Sequence, residues 1–146
     1  MTPLALDRYL PSPESAFQVA RIGVAGLFLA HAVVRVLNNS IPQFAAFMAS
    51  QGFPQPTAVV WAITVVEVIA ALCLVVRFQV SCACLALASI AIGGIVLIHS
   101  KFGWFVGEHG TGGSEYSVAL LLLLFLVAVD DRASRALRLS TETRAR

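Results

Sequence analysis

Four long apolar stretches occupy most of this chain, and they decide what it can fold into. They cover residues 16–37, 57–76, 78–98 and 116–129. A helix rises about 1.5 Å per residue, so about 20 residues cross a hydrocarbon core of about 30 Å. The first three stretches meet that length. The fourth has only 14 residues, about 21 Å of helix. It reaches a spanning length if 113–115 and 130–132 extend it. The sequence therefore predicts an all-α integral membrane four-helix bundle.

Composition agrees. Of 146 residues, 58% are hydrophobic and 12% charged, with a mean hydropathy of +0.84. A soluble domain of this size carries a larger charged surface. The net charge of +2 is too small to argue for nucleic acid. Residues 1–14 contain Asp7, Arg8, Glu14 and three prolines. They lack the early apolar core and small-residue cleavage site of a signal peptide, so the first stretch is expected to be retained. Three cysteines, Cys73, Cys82 and Cys84, form no CxxC pair and give no disulfide framework.

Basic residues set the expected direction. With both termini cytoplasmic, that side holds Arg8, Arg21, Arg77, Arg132, Arg135, Arg138, Arg144 and Arg146, against Arg35 and Lys101 opposite. The chain then divides into a cytoplasmic segment 1–15, a transmembrane domain 16–132 and a basic tail 133–146. The tail reads as a short basic helix or a frayed end on an anionic inner leaflet. The setting expected is the cytoplasmic membrane of a bacterium. Between the first two stretches, Phe44, Phe47, Met48 and Gln51 recur at helical spacing. Pro42 and the run Gly52-Phe-Pro54 bracket them, which predicts a short interfacial helix. The loop 101–114 places Phe102, Trp104 and Phe105 before a glycine-rich turn, as suits a headgroup belt. Its His109 is expected simply to be exposed. At Arg77 the connection almost vanishes, which predicts a tight helical hairpin.

The ionisable residues carry the functional argument. Glu67 is the only charge in 57–76. A charge at bilayer depth costs about 2.5–3.5 kcal/mol on insertion scales, so it faces a protein interior and has a partner. His31 and Arg35 are four apart and share a helix face. His99 falls at the end of the third stretch, and Glu115 and Tyr116 open the fourth. With the direction above, all six line the non-cytoplasmic half of one bundle. Glu67, His31 and His99 are the candidates for handling protons, since histidine titrates near neutrality and burial raises a carboxyl pKa. Arg35, Glu115, Tyr116, Trp61 and Trp104 are the candidates for lining a pocket. Each also has a plainer role: Arg21, Arg77 and Arg35 can snorkel to headgroups, and Glu115 suits a helix first turn.

A quinone head group needs donors for two carbonyls and flat apolar walls, which these residues can supply. Haem is disfavoured. Counted from the inner edge, His31 lies about 18–24 Å out and His99 about 30 Å, whereas paired axial ligands share one depth. No HExxH-type motif supports a metal, and 107–113 matches neither a P-loop nor a dinucleotide fingerprint.

The pattern as a whole resembles the DoxX family of small membrane proteins over roughly residues 20–132. The features are Arg21, His31, the Phe-rich stretch ending in Gly52-Phe-Pro54, and Val66-Glu67-Val68-Ile69-Ala70-Ala71. They continue with Arg77, His99 before Gly103-Trp-Phe105, Glu115-Tyr116, and Asp131-Arg132. Ala32, Ala70 and Ala71 stand where the family favours glycine. The resemblance implies a four-helix membrane bundle, with some members tied to quinone-linked sulfur oxidation and others to oxidative-stress complexes. Three functions follow as expectations. The first is a small membrane subunit of a redox system with a quinone-sized pocket, working with redox protein partners. The second is a non-enzymatic scaffold or assembly factor, and the third a small-solute transporter, which needs an oligomer to complete a pathway.

Overall fold

The structure is a computed structural model and describes residues 10–106 and 112–144. His109 and Gly107 lie outside the described residues. The chain is all-α: α1 (Pro13–Leu37), α2 (Ile41–Ser50), α3 (Pro56–Val75), α4 (Val80–Leu97) and α5 (Glu115–Arg144), with a 3-10 turn at His99–Phe102. Proline sits in the first turn of α1, α2 and α3, where its missing N–H costs nothing and its fixed φ suits a helix start. Pro42, expected to lie just outside the short helix, is thus part of its opening turn.

Three of these helices, α1, α3 and α4, are long and apolar enough to cross a membrane. The fourth departs from the expectation of a short segment. α5 has 30 residues, about 45 Å of helix. Its apolar part fills only the first half. The polar remainder continues as helix without a break across the expected boundary at 132–133. No glycine or proline interrupts 115–144. The Arg135 guanidinium pairs one turn back with the Asp131 carboxylate, which carries the helix through its charged section.

Four long helices pack in a ring, α1 on α3, α3 on α4, α4 on α5 and α5 on α1. The core between them is Val24, Phe28, Ala71, Leu74, Val80, Leu87, Leu124 and Val127 with their neighbours. It fills the end of the bundle nearest the α3–α4 hairpin. That hairpin is four residues, 76–79, and turns sharply because Arg77 and Gln79 adopt left-handed backbone conformations. Arg21 stabilises the same end. Its guanidinium donates to the carbonyls of Leu74 and of Val75 (3.1 Å), the last acceptors of α3. A cation there adds a donor to the terminal carbonyls and opposes the negative end of the helix dipole.

The opposite end is built differently. α2 packs on the first turns of α3 and the end of α4, through Ile41, Ala45, Met48 and Val60, with Phe44, Phe47 and Leu97 around them. α2 therefore occupies the space beyond the end of α1, and α3 runs past α1 to meet it. Lys101 ties the 3-10 turn to this cover, donating to Gln51 (3.2 Å) with its ammonium over the Phe47 ring (5.6 Å).

Candidate functional site

Between this cover and the apolar core lies a cavity of about 740 Å³, open on its flank. Its position follows from the register of α1 on α3. Arg35 is two residues from the end of α1, while Glu67 is the twelfth residue of α3. Because α3 overshoots α1, the long Arg35 side chain reaches Glu67 rather than the surface. Nη1 of Arg35 donates to Glu67 Oε2 (2.5 Å) and to Thr64 Oγ (2.9 Å), and Nη2 lies 3.4 Å from Oε1. Glu67 is only 2% exposed. The guanidinium plane carries the Phe44 ring 5.4 Å away, so α2 is held against the pair. Thr64 in turn donates to the Val60 carbonyl (2.9 Å). Among the described residues no buried side-chain nitrogen or oxygen lacks a partner.

His31, Arg35, Glu67, His99 and Tyr116 all line this one cavity. The offset in depth counted along the sequence does not separate the two histidines. His99 sits in the 3-10 turn beyond α4, close over Gly94, where a Cβ would be 3.6 Å from its ring. Burial first, and then electrostatic repulsion from neighbouring His31, holds the His99 imidazole below its ordinary pKa. Near neutral pH the ring is therefore neutral, with one N–H to donate and one nitrogen to accept.

The other three residues proposed for the lining lie elsewhere. Trp61 is 46% exposed on the outer face of α3, and Trp104 is 54% exposed in the loop before α5. Glu115 stands in the first turn of α5 and accepts from the Val106 N–H (2.9 Å). It closes the loop on itself. The Glu115 N–H donates to the Trp104 carbonyl and the Ser114 N–H to the Gly103 carbonyl. Gly113 is required there, since a Cβ would run into the carbonyl oxygens of Trp104 and Phe105. Arg77 is exposed in the hairpin.

Thr64, Gln43 and Ser40 belong to the site and were not singled out from the sequence, and Phe44 was read only as part of the short interfacial helix. Thr64 carried a readable signal, being three residues before Glu67 on the same helix face. The α2 residues carried none, because their inward face depends on how α2 folds back. Asp131, buried at the hairpin end, also went unremarked as an interior carboxylate. Among the described residues no three His, Cys, Asp or Glu side chains form a group able to hold a metal ion.

The chemistry of the chamber is that of a hydrogen-bonding site with apolar walls. The Arg35 charge is matched by Glu67, the imidazole of His99 is uncharged near neutrality, and the walls are aliphatic and aromatic. Apolar spanning helices around such a chamber define a small all-α membrane protein. The family model described as DoxX matches residues 16–100, more than half of the chain, and the protein belongs to the DoxX family. Comparison with curated proteins and with solved structures yields no match.

Proposed function

We propose that the protein is a small membrane subunit of a redox system and that its cavity receives a quinone head group. The observation that carries this reading is the meeting of His31, Arg35, Glu67, His99 and Tyr116 around one chamber. Its volume of about 740 Å³ falls within the range of small-molecule sites, about 300–1,000 Å³. A free anion would need an unmatched positive charge, and Arg35 already has its counterion. A planar, uncharged head with two carbonyl acceptors suits the donors better. Tyr116 and His99 then donate to the carbonyls, and Phe28 and Phe44 supply flat walls. Reduction of the quinone to quinol takes two electrons and two protons. A redox partner protein supplies the electrons, and the histidines and the Arg35–Glu67 pair lie where protons must be delivered. In this reading α5 is the fourth span, both termini are cytoplasmic and the membrane is the bacterial cytoplasmic one.

Extraction of the purified protein and mass spectrometry of the bound lipids tests this directly. Bound quinone is expected, and His99→Ala and Tyr116→Phe are expected to lower its occupancy. Failure of the purified protein to carry or take up any quinone overturns the reading.

A scaffold role is favoured by one separate observation. The polar half of α5 exposes Arg132, Arg138 and Arg144 beside Leu137 and Leu139, a surface suited to a partner. Co-purification of a redox protein that is lost on truncating α5 after Arg132, with no quinone present, would favour that role. Transport finds less support, since the packed apolar core stands between the chamber and the hairpin end.

A further inference from the structure

The last helix outruns the bundle. Asp131, the last buried residue of α5, lies at the hairpin end. Beyond it only Ser134 is half-buried, and every residue from 135 to 144 is exposed. α1 also overruns this end, with eight residues ahead of Arg21, yet it shields nothing on α5 past Ser134. No glycine or proline in 115–144 provides a kink, so the polar half continues the axis of the apolar half. Counted by helical rise, Arg138 stands about 10 Å and Arg144 about 20 Å past Asp131. The projection is basic, with Arg132, Arg135, Arg138 and Arg144 against Glu142 alone. Arg135 is engaged by Asp131, and among the described residues no carboxylate pairs with the other three. The hydroxyls of Ser140, Thr141 and Thr143 donate to carbonyls one turn back, so the guanidinium groups are the donors left to face outward. Leu137 and Leu139 lie among them, 69% and 64% exposed.

We infer that this projecting helix is the docking surface for a water-soluble protein with an acidic face. The inference rests on the reading of the chain as a membrane subunit with a protein partner, and adds where that partner binds and what its surface carries. Three occupants compete for a basic helix. An anionic leaflet attracts arginines within a Debye length, about 8 Å at physiological ionic strength. Arg138 and Arg144 stand beyond that distance, on a helix that continues the proposed fourth span. A second copy of the chain would set arginines against arginines. A protein face bearing carboxylates pairs with Arg138 and Arg144, and it covers two leucines that nothing in the bundle covers.

The experiment uses the full chain in its own membranes, with the soluble fraction of the same cells present. Photoreactive benzoylphenylalanine replaces Leu137 or Leu139 and, as controls, Val76 in the hairpin or Phe102 at the opposite end, all of them exposed. Irradiation should join Leu137 and Leu139 to the same protein, through a peptide rich in Asp and Glu, and the control positions should not capture it. Raising the salt from about 50 to about 500 mM should lower the yield by about tenfold, and Arg138→Glu with Arg144→Glu should do the same at low salt. Arg138→Lys with Arg144→Lys should retain most of the yield. Capture counts for the inference only with this dependence on charge. Adducts with lipid, with nucleic acid or with a second copy of this chain overturn the docking surface, as does a yield indifferent to salt and to charge reversal. Capture at Val76 or Phe102 alone also overturns it, while leaving the membrane subunit and its partner standing. Capture at none of the four positions removes the partner and the docking surface together, and the quinone extraction then decides the head-group site by itself.

Discussion

Arg35 and Glu67, 32 residues apart in sequence, form a buried ion pair that joins the end of α1 to the middle of α3. Two charges taken out of water repay their desolvation only through close geometry and extra hydrogen bonds. Here Thr64 and the Phe44 ring supply the extra contacts. The pair also matches the one guanidinium charge in the chamber wall, so its energetics and its ligand preference are one question.

Removing one partner strands the other. Arg35→Met and Glu67→Leu are each expected to lower stability by about 3 kcal/mol, the penalty for an unmatched buried charge. The joint replacement Arg35→Met with Glu67→Leu should recover most of that loss, because it removes both desolvation costs. Unfolding in mixed detergent micelles, run as a double-mutant cycle, measures the coupling. Additive losses would mean that the pair contributes nothing as a pair.

His99 gives the pH dependence. Burial, and then repulsion from His31, lower its folded pKa below the value near 6.5 of an unfolded chain. The unfolded state therefore binds the proton more readily. The stabilisation is fully present above about pH 6.5 and is lost as pH falls from there through the folded pKa. A fall in midpoint temperature between neutral and mildly acidic pH is expected, and it should flatten in His99→Gln. Persistence of the full pH dependence in that variant would assign it to another group.

The helices α1, α3 and α4 were legible because their apolar runs are bounded by prolines or polar residues. Their ends agree to within three residues. α5 was read short because Asp130, Asp131 and Arg132 look like the end of a membrane segment. Charge ends a span, however, not a helix, and nothing in 115–144 breaks the backbone pattern. Glu67, His31 and Arg35 could be singled out because ionisable groups are costly in apolar runs. The tryptophans could not be placed by the same rule. α3 is apolar all round, so its inward face is marked only by Glu67. At 3.6 residues per turn Trp61 lies about 120° away from it, whereas Thr64 and Val60 fall on nearly the same side. Ala32, Ala70 and Ala71, standing where glycine was expected, are all buried at or below 5% exposure, so the extra methyl groups are accommodated in the core.

Arg21 makes a second link between α1 and α3, at the hairpin end. Arg21→Ala removes donors from the last carbonyls of α3 and a cation from the negative end of its dipole. A loss of about 1–2 kcal/mol is expected, and Arg21→Lys should retain part of it. Hydrogen exchange read by mass spectrometry should show faster exchange confined to the 72–79 region. A uniform increase across the protein would indicate a general packing defect instead.

The cysteines report the direction of the chain in the membrane. Cys82 is exposed in the first turn of α4, beside the hairpin, whereas Cys84 is buried two residues on and Cys73 is half-buried. The proposed orientation puts the hairpin on the cytoplasmic side, the side that carries most of the arginines. A membrane-impermeant maleimide should therefore label Cys82 in inverted vesicles and leave it untouched in right-side-out spheroplasts. Cys82→Ser should abolish the signal, since Cys84 is shielded by the core around Leu87 and Val80. Ser50→Cys, at the exposed end of α2, should give the opposite pattern. Labelling of both sites from the same side would require that α3 does not cross the membrane, and the chamber would then lie in water instead of lipid.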